Sequence, residues 1–303
     1  MMSSGDTSGS GGLDCSGVCH LLVIGGQKCG TTWLNHLLDW NDGFWCYPHS
    51  QEVHFFDRAW EEGVGHYRAS FQDAPCDQVT CDVTPDYMHT EDVPRRMAVT
   101  FDQVTRVPRF VALLRDPVDR TVSAFLMAKR RNPGLSLQDA LRGDVGGARI
   151  RLLYSKALGR YLDLFDRDAV LTLVSEKAWN APVATLERVG EHCGVSGPFA
   201  DPYEGGAINQ GGRPRSRGLR SVFRFAGRLL RRVGANRLIH RAKRSYLVRS
   251  LREWNRVEVG LTPEDEHVLR SELIPQYRED VAELERLLGR SDLRDTWDLE
   301  LSG

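Results

Sequence analysis

Glu52 and His54 stand two apart in Ser50-Gln51-Glu52-Val53-His54-Phe55-Phe56-Asp57. On an extended segment, residues two apart point to the same side. A carboxylate and an imidazole can then serve one proton transfer. A hydroxyl nucleophile has a pKa far above neutrality and needs a positioned proton acceptor. Glu52, His54 and the nearby His49 are all candidates. The bland readings are a solvated loop acid for Glu52 and a histidine packed between aromatics for His54.

Chemistry of a second kind is written in Leu21 to Leu34. The apolar run Leu21 to Ile24 predicts a buried strand. Gly25-Gly26-Gln27-Lys28-Cys29-Gly30 predicts a tight turn, and Thr31, Thr32, Trp33, Leu34, Leu37 and Leu38 predict a helix. Strand, glycine turn and helix start together make a phosphate cradle, because backbone N–H groups and the helix dipole both face the anion. Gly25 and Gly30 have the spacing of the nucleotide-triphosphatase loop G-x-x-x-x-G-K-[ST], but Thr31 stands where its lysine belongs. Lys28 lies inside the loop instead, where it can meet both a 5′-phosphate and the group bonded to it.

A third cluster follows another apolar run, Phe110 to Leu114, and reads Arg115-Asp116-Pro117 with Ser123 eight residues after the arginine. Asp116 suits a helix cap and Pro117 the first helical turn. A strand-to-helix turn can bring Arg115 and Ser123 to one anion, with charge-assisted contacts from the guanidinium and a hydroxyl donor from the serine.

Together these segments resemble the sulfotransferases that use 3′-phosphoadenosine 5′-phosphosulfate (PAPS). Gly25 to Leu34 resembles their 5′-phosphosulfate loop, and Arg115-Asp116-Pro117 with Ser123 resembles their 3′-phosphate motif. Glu52-Val53-His54-Phe55-Phe56-Asp57 and Thr84-Pro85-Asp86-Tyr87 resemble segments of the heparan sulfate branch, 3-O- and N-sulfotransferase-like. Gly212, Arg213 and Arg215, within Asn209 to Ser216, are similar to the late loop that closes over the nucleotide. Asp280 to Trp297 resembles the closing helix of bacterial members. One departure stands out: Asp82-Val83 replaces the Glu-Lys pair that precedes Thr-Pro in the animal heparan enzymes.

The resemblance implies PAPS as sulfuryl donor and a carbohydrate, lipid or small-molecule acceptor, with no metal. It implies Glu52 as base, with His54 as the other catalytic candidate. Lys28 would act on the leaving phosphate. Lys28, Cys29, Gly30, Thr31 and Thr32 would hold the 5′-phosphate, and Arg115 and Ser123 the 3′-phosphate. A non-catalytic binder of anionic glycans and an ATP-dependent phosphotransferase are the alternatives. The second lacks the loop lysine and an evident magnesium-binding acid.

These residues need a scaffold. Apolar runs at Leu21, Val79, Phe110 and Val170 alternate with helical patterns, which predicts βαβ units. The expected fold is a single P-loop-like α/β domain, a mostly parallel central sheet flanked by helices. Its ligands would bind beyond the carboxyl ends of the strands. Residues 1–18, rich in Ser and Gly, are expected to be a disordered lead, and 19–303 the sulfotransferase domain. Thr262 is expected to cap a last long helix in which Pro275 makes a kink. Asp82 is expected to end a strand or line the acceptor pocket, and Lys129-Arg130-Arg131 to face water at a helix end.

Composition is that of an ordinary globular chain of 303 residues with net charge −1. The seven cysteines are scattered, without a C-x-x-C pair. They predict neither a disulfide scaffold nor a zinc site, and fit a reducing compartment and a cytoplasmic location. Residues 205–252 hold fourteen basic residues and no acidic ones. This segment is either a core-facing stripe with a solvated arginine face, or a surface for an anionic glycan or acidic membrane through 213–249. No nucleic-acid motif accompanies it.

Overall fold

The computed structural model describes residues 19–102, 108–145, 148–202, 213–214, 256–257 and 261–299. Gly212 and Arg215, and nearly all of the arginine-rich segment, lie outside them. Arg213 is described only as backbone, paired antiparallel with Val257.

In chain order the structure begins with β1 (Leu21–Gly25), α1 (Thr31–Trp40), β2 (Phe44–Cys46), α2 (Phe55–Arg58) and α3 (Val64–Ala69). There follow β3 (Val79–Val83), α4 (Val93–Phe101), β4 (Arg109–Leu114), α5 (Pro117–Arg131) and α6 (Leu137–Arg142). A small hairpin of β5 (Asp144–Val145) and β6 (Ala148–Arg149) leads to α7 (Tyr154–Leu162), β7 (Val170–Val174), α8 (Ser175–Asn180) and α9 (Pro182–Cys193). The short pair β8 (Arg213–Pro214) and β9 (Arg256–Val257) precedes α10 (Pro263–Leu288) and α11 (Leu293–Thr296).

The main sheet has five strands in the order β2-β3-β1-β4-β7, every pair parallel. All four apolar runs read from the sequence are strands of it; β2, only three residues long, carries too little pattern to be read. β1 lies at the centre, with Leu21, Leu22, Val23 and Ile24 fully buried. A strand covered on both faces reads as a continuous apolar run rather than an alternating one, and β4 does the same from Phe110 to Leu114. β1 and β4 are direct neighbours, and their register brings Gly25 opposite Ala112. The turns that leave these two strands therefore open side by side at one edge of the sheet, where the chain switches direction across it.

Asp116 caps α5 as expected, accepting from the N–H groups of Val118 at 2.7 Å and Asp119 at 3.1 Å. Thr262 caps α10 through Asp265 N at 3.1 Å. Pro275 falls inside α10, a helix of 26 residues that continues past it. That helix packs on α5 and α7. Tyr277 shares a 2.6 Å hydroxyl contact with Thr121 of α5. Asp280 accepts from Tyr154 N at 2.8 Å and Ser155 N at 3.1 Å, and from the Ser155 hydroxyl. It caps α7 from a helix more than a hundred residues away in sequence. Asp280→Ala should cost about 1–3 kcal/mol through the orphaned N–H groups; a urea-unfolding midpoint equal to that of the wild type would contradict this.

Candidate active site

The donor side is built on the β1–α1 turn. Gly30 has φ of 93°, a left-handed conformation that glycine adopts without strain. A Cβ there would sit 2.6 Å from Trp179 Nε1, so the turn is also closed to any side chain. No side chain caps the start of α1, which leaves its first-turn N–H groups for an anion. Cys29 is buried; its N–H closes on Gly26 O at 3.1 Å and its thiol lies 3.3 Å from the Tyr154 hydroxyl. Burial pushes that thiol above its ordinary value. Cys29 thus packs the loop from inside, while its carbonyl accepts from Ser175 Oγ at 2.8 Å.

Arg115, at the end of β4, donates from Nη1 to the carbonyl of Lys28 at 3.4 Å. The two anion-binding motifs read from the sequence therefore meet in one place. The guanidinium stacks over Trp179 at 5.6 Å from the ring centre and pairs with Asp119 at 3.4 Å. Its Nε is buried without a partner among the described residues. Ser123 stands one turn beyond Asp119 on α5, on the face that touches Arg115. Arg130 continues this stripe two turns further along. It is half-buried rather than solvated, and it bears on Lys28. The Lys28 ammonium is held below its ordinary value by burial first, then by the charges of Arg130 and Arg115. A lysine in that position is stabilised by an arriving anion.

Tyr154 was not singled out by sequence reasoning. Its hydroxyl donates to Arg115 O at 2.9 Å, receives Arg115 N at 3.3 Å, and touches the Cys29 thiol. It clamps the glycine loop to the end of β4. The only prior signal was a tyrosine at the start of an amphipathic helix.

The base side rests on an aromatic floor. Phe55 and Phe56 are buried, with ring centroids 4.9 and 4.8 Å from Tyr67. Each contributes roughly 1.5–3 kcal/mol by burial. This anchors α2 and leaves Glu52, His54 and Asp57 above the floor. Glu52 Oε2 lies 2.6 Å from His54 Nε2, and Asp57 Oδ2 lies 3.0 Å from His54 Nδ1. Burial opposes a charged imidazole, but the hydrogen bonds to Asp57 and Glu52 outweigh it and raise the pKa to about 9. The imidazolium is therefore held between two carboxylates. Arg58 pairs with both Asp57 and Asp86, so a guanidinium stands between the carboxylates of the His54, Asp57 and Asp86 cluster.

Asp82 neither ends a strand idly nor lines a pocket. It is fully buried and accepts from Thr84 Oγ1 at 2.6 Å, Tyr87 OH at 2.9 Å and Tyr67 OH at 3.3 Å. Burial raises its pKa to about 6 against those three donors. Thr84 Oγ1 in turn accepts from Val53 N at 3.0 Å, and Tyr87 OH from Phe55 N at 3.1 Å. Asp82 thus fixes the backbone on either side of His54. Two further bonds join the halves of the site: Gln51 to Thr32 Oγ1 at 2.6 Å, and Gln27 to Asp86 at 3.1 Å.

The family model for the sulfotransferase domain matches residues 19–201, well over half of the chain. The chain belongs to the sulfotransferase family. It is 26% identical over 190 residues to human heparan sulfate glucosamine 3-O-sulfotransferase 6, a match covering 60% of this chain and 54% of that one. It is also 26% identical over 161 residues to mouse heparan sulfate glucosamine 3-O-sulfotransferase 3B1, covering 50% and 40%. The chain thus spans about half the length of the curated relatives it matches. A sulfotransferase of Alicyclobacillus acidocaldarius has the same fold, with a TM-score of 0.60 at 20% identity, over 92% of this chain and 98% of the other.

Among the described residues, five buried cysteines stand outside any disulfide, whereas Cys76 is disulfide-bonded, which does not fit the expected reducing compartment. No helix among the described residues is long and apolar enough to cross a membrane.

Two outcomes are expected. Asp82→Asn, which turns one acceptor into a donor, should cost about 1–3 kcal/mol in chemical denaturation; an unchanged midpoint would sink the bracing role. The His54 imidazolium gives stability that is full below its ordinary value of 6.5 and lost as pH rises through about 9. The melting temperature of the wild type should therefore fall more steeply from pH 7 to 9.5 than that of His54→Asn. Parallel curves would show that His54 is not held charged.

Proposed function

We propose that this protein transfers the sulfuryl group of PAPS to a hydroxyl, or an amine, of a carbohydrate, lipid or small-molecule acceptor. The observation that carries the reading is the contact of Arg115 with the Lys28 carbonyl, which joins two anion grips within the span of one nucleotide. The residues present suit a bisphosphate: an uncapped helix start, a lysine whose charge is destabilised, and a buried guanidinium nitrogen without a partner among the described residues. PAPS would supply a sulfuryl group activated by its bond to the 5′-phosphate.

The chain's own residues divide the work. Gly30, Thr31 and Thr32 present backbone and hydroxyl donors to the 5′-phosphate, and Arg115 and Ser123 take the 3′-phosphate. Lys28 stabilises the charge that grows on the leaving oxygen. Glu52 removes the acceptor proton. His54 cannot compete for that role, because both ring nitrogens are bonded to carboxylates and the ring is already protonated at neutral pH. His54 holds Glu52 Oε2, leaving Oε1 for the acceptor. Heparan-type acceptors are one class within this reading, favoured by the 3-O-sulfotransferase relatives. The replacement of Glu-Lys by Asp82-Val83 speaks against an identical acceptor site. We take residues 19–303 as one sulfotransferase domain and place it in the cytoplasm, for which the five cysteines outside disulfides speak and the Cys76 disulfide does not.

Transfer of radiolabelled sulfur from PAPS to a panel of acceptors tests the activity. ATP turnover instead would favour a phosphotransferase, and tight heparin binding without transfer a glycan-binding protein. Glu52→Gln should lower turnover by about a hundredfold or more while leaving the affinity for adenosine 3′,5′-bisphosphate nearly intact. Loss of nucleotide binding would move Glu52 from chemistry to cofactor positioning.

A further inference from the structure

Arg120 is the largest fully buried side chain among the described residues, at 0% exposure. One of its nitrogens, Nη2, bonds the carbonyl of Ile150, with Thr121 Oγ1 at 3.5 Å. Nε and Nη1 are buried without a partner among the described residues, and no ion pair to a described carboxylate relieves the charge. Arg120 is also the fourth residue of α5. A cation so near a helix N-terminus faces the positive end of the dipole. Taking an unpaired guanidinium out of water at such a place costs stability. Nothing described within the protein offsets that cost.

What surrounds Arg120 shows where its field goes. Its charge bears on the Cys29 thiol inside the glycine loop and on the Tyr154 hydroxyl that clamps the loop to β4. Tyr154 bonds the backbone of Arg115, whose guanidinium reaches the Lys28 carbonyl, and Asp119, next in the chain, is already taken by Arg115 and Arg270. Arg120, Cys29 and Tyr154 are all fully buried, so the path from the charge to the glycine loop runs through low-dielectric protein rather than water. Over such a path an attraction is screened far less than across solvent.

We infer that Arg120 is a fixed positive charge behind the glycine loop that sets affinity for the nucleotide phosphates without touching them, at the expense of the stability of the ligand-free protein. The inference rests on the sulfotransferase reading and adds a residue to it. It separates Arg120 from an ordinary packing arginine by the sign of two effects. Removing the charge should help the empty protein and harm the complex.

The test uses Arg120→Met, which keeps the length and volume, and Arg120→Lys, which keeps the charge. Without nucleotide, Arg120→Met should melt at or above the wild-type temperature, as buried ions replaced by apolar side chains of similar volume do. Its dissociation constant for adenosine 3′,5′-bisphosphate, by calorimetry, should rise about tenfold or more. Arg120→Lys should keep that constant within about threefold of the wild type. If Arg120→Met fails to fold or melts lower, Arg120 is a structural residue and the inference is overturned. An unchanged affinity in Arg120→Met, or an equal loss in Arg120→Lys, overturns it as well. Failure of the wild type to bind the bisphosphate would overturn the sulfotransferase reading itself, an outcome distinct from each of these.

Discussion

Positive charges repel, and the glycine-loop side of the candidate site gathers four of them. Lys28, Arg115, Arg120 and Arg130 converge on the ends of two neighbouring strands, and Asp119 pairs with Arg115. Such an arrangement survives only if neutral groups hold it. Those groups are the Tyr154 hydroxyl, the Ser175 hydroxyl on the Cys29 carbonyl, and the Lys28 carbonyl under Arg115. None of them cancels charge. They fix the backbone so that the repulsion cannot relax by opening the loop, and the field stays directed at the cleft.

The base side is organised by the opposite logic. There the buried group is an acid, Asp82, and it is satisfied by three hydroxyls rather than by a cation. Those hydroxyls pass the constraint on to Val53 and Phe55, so the segment carrying Glu52 and His54 is fixed through its main chain. The carboxylates that surround His54 then act on a ring whose position is already set. Gln51–Thr32 and Gln27–Asp86 tie this acidic half to the cationic one through side chains.

Much of this was legible in the sequence, for reasons that differ from residue to residue. Strands covered on both faces write themselves as unbroken apolar runs, and Asp116, Pro117 and Thr262 mark helix starts by local chemistry that needs no tertiary partner. The glycine loop and the Arg115–Ser123 spacing carry their geometry within a few residues. Asp82, Tyr154 and Arg120 do not. Their partners lie on other elements, as with Tyr154 and Cys29, which stand 125 residues apart. Arg130 was misread as solvated because a basic helix end ordinarily is; the stripe it shares with Asp119 and Ser123 becomes meaningful only once β1 and β4 are known to be neighbours. Gly212 and Arg215 lie outside the described residues.

The long helix α10 carries a consequence for how the unit is delimited. The family-model match ends at residue 201, yet Tyr277 and Asp280 reach back to hold α5 and α7, which carry Ser123 and Tyr154. Homology and self-sufficiency have different borders here. A fragment cut at the edge of the shared pattern would keep nearly every letter of the site's signature and lose the buttress behind it.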